Sequence, residues 1–162
     1  MIRGKSFMTW VKDLFTNPFI ITPVLAWFVA QIIKTIIHAI SNKVVDLKRL
    51  VGDGGMPSCH SATVASLAFI CLLRFGAGSF QFAISLILAI IVCHDAMGVR
   101  QEAGKHAEIL NKLMDESDTN FDKYLPRGKL NAYIGHTAAQ VFAGVAIGIG
   151  WAILMYFVFF RL

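Results

Sequence analysis

Polar and apolar positions along this chain are segregated rather than interleaved. No charged residue falls within residues 14–33 or 137–160, and a helix of about 20 residues rising ~1.5 Å each crosses ~30 Å of hydrocarbon. Two shorter apolar runs follow the same rule, one ending at Arg74 and the other reaching its first charge at Asp95. The pattern predicts an all-α integral membrane bundle of about four transmembrane helices, over residues 18–40, 57–73, 79–97 and 131–160. Between the third and fourth, Val99, Ala103, Leu110 and Met114 recur at helical spacing, with Arg100, Glu102, Lys105, Glu108 and Lys112 on the other faces. That is an amphipathic surface helix over residues 98–117. A short interfacial helix is expected over residues 5–15. The chain therefore divides into an N-terminal interfacial segment, 1–17, and one membrane domain, 18–162.

Composition strengthens this reading. Of 162 residues, 56% are hydrophobic and 15% charged, with a mean hydropathy of +0.63, too apolar for an ordinary water-soluble domain of this size. The net charge is +5. Four spans would put 41–56 and 98–134 on one side, with nine cations (Lys43, Lys48, Arg49, Arg100, Lys105, Lys112, Lys123, Arg127, Lys129). The other side has five (Arg3, Lys5, Lys12, Arg74, Arg161). The asymmetry places the former side in the cytoplasm of a bacterial cell membrane. The cations flank membrane segments and form no continuous stripe, which argues against a nucleic-acid partner. Cys59, Cys71 and Cys93 lack paired ligand spacing, and the latter two read as small buried hydrophobes. The first apolar run is too long for a cleaved leader.

The chemistry gathers at the ends of the apolar runs. Gly52-Asp53-Gly54-Gly55 precedes Pro57-Ser58-Cys59-His60, and a glycine-rich turn feeding a helix start offers backbone N–H groups and a positive dipole end to an anion. Pro57 suits the first helical turn, Ser58 adds a hydroxyl, and His60 can move a proton near neutral pH. His136 opens the last apolar run, with Gln140 four positions on, the same face of a helix. A histidine nucleophile needs its far ring nitrogen held by an acceptor. Attack on phosphorus would give a phosphohistidine, with His60 protonating the leaving alcohol and then activating water. Lys34, Arg49, Arg100, Lys105 and Arg127 or Lys129 are candidates to neutralise phosphoryl oxygens. Asp95 is expected to pair with a cation. Gly144 and Gly148 permit close helix packing.

Gly-Gly-Met-Pro-Ser-x-His-Ser-Ala, Asp-Ala-Met-Gly-Val-Arg followed by Ala-Gly-Lys, and Gly-His-Thr before a membrane helix resemble the divergent branch of the type 2 phosphatidic acid phosphatase superfamily. That superfamily also includes acid phosphatases and vanadium-dependent haloperoxidases. The resemblance covers roughly residues 18–160. It implies His136 as nucleophile, His60 as acid, and Lys34 and Arg49 in place of a more closely spaced lysine and arginine pair. Cys59 stands where the family has glycine, and Gln140 where it has a carboxylate; an amide oxygen orients the ring without stabilising an imidazolium by charge. The family's arginine before the nucleophile is replaced by Leu130, leaving Arg100, Arg127 or Lys129 to substitute. The implied activity is hydrolysis of a phosphomonoester or diphosphate of an amphiphile such as phosphatidylglycerophosphate, without a metal cofactor. Partners would be the lipid phosphate, membrane lipids and, optionally, further copies of the chain. The rival reading is a non-catalytic protein that binds anionic head groups or transports an anion.

Overall fold

The computed structural model describes residues 6–43, 55–116, 129–130, 132 and 135–161. Among them are six helices and no strand: α1 (Phe7–Phe15), α2 (Pro18–Asn42), α3 (Cys59–Phe75), α4 (Phe80–Met97), α5 (Val99–Asp115) and α6 (Ala138–Phe160). The protein is a helical membrane bundle. Helices α2 and α6, and the stretch beginning at Phe80, are long and apolar enough to cross a membrane, whereas α3 has 17 residues. The α3 helix lies at the centre and packs on α2, α4 and α6. Its small side chains make that possible: Ala62, Ser61 and Ser66 are fully buried, as is Ile70.

Helices α3 and α6 run parallel. A Cβ at Gly144 would land on the carbonyl of Ser58, and one at Gly148 on the carbonyl of Ala62. Steps of four residues in one helix thus match steps of four in the other, and the two backbones touch along their small faces. Helices α2 and α4 run the opposite way. Phe19, at the start of α2, packs on the Ile70, Ala152 and Met155 cluster near the ends of α3 and α6, and Lys34, near its other end, reaches Cys59. The amide of His136 donates to the carbonyl of Ala96 at the end of α4 (3.0 Å). The ends of α2 and α4 and the starts of α3 and α6 therefore meet at one pole of the bundle.

Outward faces are apolar. Phe28, Ile32 and Ile36 of α2, Ile84, Ile87 and Ile91 of α4, and Phe142 and Leu154 of α6 are all exposed. A surface of this kind is stable facing acyl chains and unstable facing water. At the far pole, Arg74 lies over the Phe160 ring, 4.9 Å from its centroid. The α1 helix leaves Phe7, Met8, Trp10 and Phe15 exposed beside Lys12 and Asp13, the distribution of an interfacial helix.

Two boundaries differ from expectation. The last helix starts at Ala138, seven residues later than the apolar pattern suggests, because Thr137 caps it: its hydroxyl accepts from the Gln140 amide and the Gln140 side chain accepts from the Thr137 amide. Pro57 precedes the α3 helix rather than entering it, and Ser58 is the cap, its hydroxyl accepting from the Ser61 amide.

Candidate functional site

The pole where four helix ends meet gathers most of the candidate residues. Ser58 is fully buried; its hydroxyl takes both the amide (3.3 Å) and the hydroxyl (2.9 Å) of Ser61. Its own amide donates to the Gln140 carbonyl (3.0 Å), joining the starts of α3 and α6 backbone to backbone. Two parallel helices thereby bring their N-termini, each with a positive dipole end, to one place.

His136 lies outside the helix, two residues before Ala138, and so does not share a helical face with Gln140 as the spacing implies. The two still meet. Its Nδ1 is 3.2 Å from Gln140 Oε1, and the same oxygen accepts from the Thr137 amide (3.0 Å). That amide can only donate, so the atom facing it is the carbonyl oxygen of the glutamine. The neutral ring then carries its proton on Nδ1 and its lone pair on Nε2. His136 is 6% exposed, and Gly135 accounts for its seat. With φ +95°, Gly135 lies so close to the Arg100–Gln101 backbone that a Cβ would overlap it.

Lys34 is 2% exposed. Its stem passes Gly55, where an added Cβ would sit 3.6 Å from Cγ and Cδ, and its Nζ reaches Cys59 Sγ at 3.5 Å. Cys59 Sγ is in turn 4.0 Å from His60 Nδ1. Lys34, Cys59 and His60 thus form one cluster at the start of α3. His60, the second residue of α3, is half-buried.

Arg100 Nε donates to Asp95 across the turn between α4 and α5. Gly98 makes that turn, ending α4 with its amide on the His94 carbonyl and beginning α5 with its carbonyl on Glu102. The Ala96–His136 hydrogen bond brings the Asp95–Arg100 pair to the same pole. Lys105 and Lys129 do not join it. The former pairs with Glu102 (2.7 Å) and the latter with Asp115 (2.6 Å), both on exposed faces of α5, and Asp115 is about 20 Å of helix from Arg100. The ammonium of Lys105 holds the Glu102 carboxyl below the usual carboxylate range. Arg49 and Arg127, with Gly52 to Gly54, lie outside the described residues. No group of three or more His, Cys, Asp or Glu side chains suited to a metal occurs among the described residues.

Sequence reasoning missed the Lys34–Cys59 contact and the close passage of Gly135. A cysteine in place of glycine was a visible signal for the first, and a glycine directly before the histidine for the second. It also missed that both Asn111 side-chain groups bind the Leu130 backbone, each at 2.8 Å, tying the segment before His136 to α5.

Fold and site define an α-helical integral membrane protein that gathers histidine and cationic side chains at one pole. The model of the Divergent PAP2 family matches residues 15–151, and the chain belongs to that family. It is 36% identical over 146 residues to the "Uncharacterized membrane protein YuiD" of Bacillus subtilis (strain 168), covering 85% of this chain and 92% of that protein. No solved structure matches.

Proposed function

We propose that the protein is a membrane lipid phosphate phosphatase that hydrolyses a phosphomonoester or diphosphate of an amphiphile through a phosphohistidine. The observation that carries this reading is the His136–Gln140–Thr137 arrangement, which leaves the lone pair of the His136 ring on Nε2. Attack by Nε2 forms the N–P bond as the ester P–O bond breaks, and His60 supplies the proton to the departing alcohol. His60 then takes a proton from water, whose oxygen displaces phosphate from His136. Lys34, Arg100 and the α3 N-terminus neutralise the phosphoryl oxygens, which gives the charge stabilisation this reaction class requires. Arg49 stays in the proposed set on sequence grounds. Lys105 and Lys129 serve the anionic membrane surface rather than the phosphorus. Assigning charge stabilisation to these groups makes the reaction metal-independent. The cation asymmetry supports a site facing the cytoplasm of a bacterial cell, where phosphatidylglycerophosphate is a fitting substrate.

The test is phosphate release by purified protein in EDTA, for wild type, His136→Ala and His60→Ala. Both variants are expected to lose at least roughly a thousand-fold, and acid-labile phosphate should be trapped on His136 in the wild type. Equal release by all three would overturn the reading. A second reading, non-catalytic binding of anionic head groups or anion transport, is favoured by the uncharged Gln140. It predicts anion flux in liposomes that survives loss of both histidines.

A further inference from the structure

A groove of about 300 Å³ runs between α4 and α6, with α3 as its floor. Its lining is apolar, and it lies at the depth where the bundle faces hydrocarbon. It is graded along its length. Ala65, Ala89 and Cys93 line the half nearer the histidine pole, and Leu72 and Phe82 the far half. From Phe82 to Cys93 the groove follows about 16 Å of α4. Cys93 is one turn from Ala96, the residue whose carbonyl holds the His136 amide, so the groove leads from the bilayer core to the foot of the site.

Its size selects the occupant. A helix of a second copy, about 10 Å across, would need roughly 1,000 Å³ over the same length. One extended hydrocarbon chain needs far less. Burial from water contributes nothing to the choice, because a lipid's chain leaves one apolar environment for another. What the groove supplies is position, fixing the chain so that the attached phosphate is held beside the reacting groups.

We infer that this groove seats one acyl chain of the phosphorylated lipid, and that Leu72 and Phe82 set the length of chain accepted. The inference rests on the phosphatase reading for the lipid's identity, and it is tested separately from turnover. The full chain is placed in vesicles containing phosphatidic acid with a diazirine in one acyl chain, or diacylglycerol carrying the same group. Irradiation is expected to attach phosphatidic acid to peptides holding Ala65 and Ala89 several-fold more than to those holding Ile84, Ile91 or Phe142. Ala65→Phe or Ala89→Phe should remove that preference. Even labelling of all lipid-facing residues, equal labelling by diacylglycerol, or linkage mainly between two copies of the chain would overturn the inference.

Turnover provides the second arm. Ala89→Phe should lower kcat/KM for long-chain phosphatidic acid by roughly ten-fold or more, with a short water-soluble phosphomonoester unaffected. Phe82→Ala, which shortens a side chain rather than adding bulk, should move the preferred acyl length upward. A fixed length preference in Phe82→Ala counts against the inference. Should the wild type release no phosphate from either substrate, the phosphatase reading fails and the labelling pattern alone decides the groove.

Discussion

At the scale of single residues, Gln140 has the most consequence for the proposed reaction. Its oxygen does two tasks at once, receiving the Thr137 amide and facing His136 Nδ1. A carboxylate there would accept both hydrogen bonds and add a negative charge beside the ring. That charge favours the protonated imidazole, which cannot attack phosphorus. Gln140→Glu should therefore move the acid limb of the pH–rate profile to higher pH, by roughly one unit, with the rate at high pH maintained or raised. Gln140→Leu keeps the bulk and loses the oxygen that faces both partners; its rate should fall across the whole pH range. Lys34 follows a different logic. A buried ammonium is costly unless matched by an acceptor or a bound anion, and the thiol of Cys59 is its observed partner. Cys59→Ala should lower kcat and kcat/KM for a phosphorylated lipid together, because the loosened ammonium no longer meets the charge that develops on the phosphoryl oxygens.

Among the elements, α3 and α6 determine the geometry. Gly144→Leu or Gly148→Leu would drive a side chain into the Ser58 or Ala62 carbonyl, separating the helices by more than rotamer changes can absorb. Such variants should lose about 3 kcal/mol or more, or fail to fold, as read by thermal denaturation in detergent. Gly150 provides the control, since nothing lies within 4 Å of an added Cβ; Gly150→Ala should be neutral or stabilising by up to ~1 kcal/mol. The apolar runs made these helices legible in advance, and the Gly-xxx-Gly pair marked the packed face. The start of α6 was not legible, because an apolar run continues through Tyr133 and Ile134 while the Thr137–Gln140 cap lies inside it. The nearness of His136 to Ala96, and of Gly135 to Gln101, was equally hidden. It depends on contacts between segments some 35 to 40 residues apart, which local spacing does not report.

For the whole molecule, the arrangement divides sharply into two poles. One carries His60, His136, Lys34 and the Asp95–Arg100 pair; the other carries Arg74, Arg161 and α1. If the former faces the cytoplasm, a cysteine placed at Lys112 should react with a membrane-impermeant maleimide only in opened cells or inverted vesicles, and one at Gly78 in intact cells. The reverse pattern would invert the topology and leave the pocket's chemistry untouched. Cys59 and Cys71 are buried, and the half-buried Cys93 lines the apolar groove away from water, so the native background should be low. Two hydrogen bonds tie this pole together without any side chain, the His136 amide on the Ala96 carbonyl and the Ser58 amide on the Gln140 carbonyl. The span between α3, which carries His60, and α6, which begins two residues after His136, is thus set by main-chain atoms that every amino acid but proline provides. Side chains at this pole can be exchanged one at a time on a chassis that stays put, and position 58 tests it: alanine there removes the capping hydroxyl and keeps the amide on the Gln140 carbonyl, whereas proline removes both.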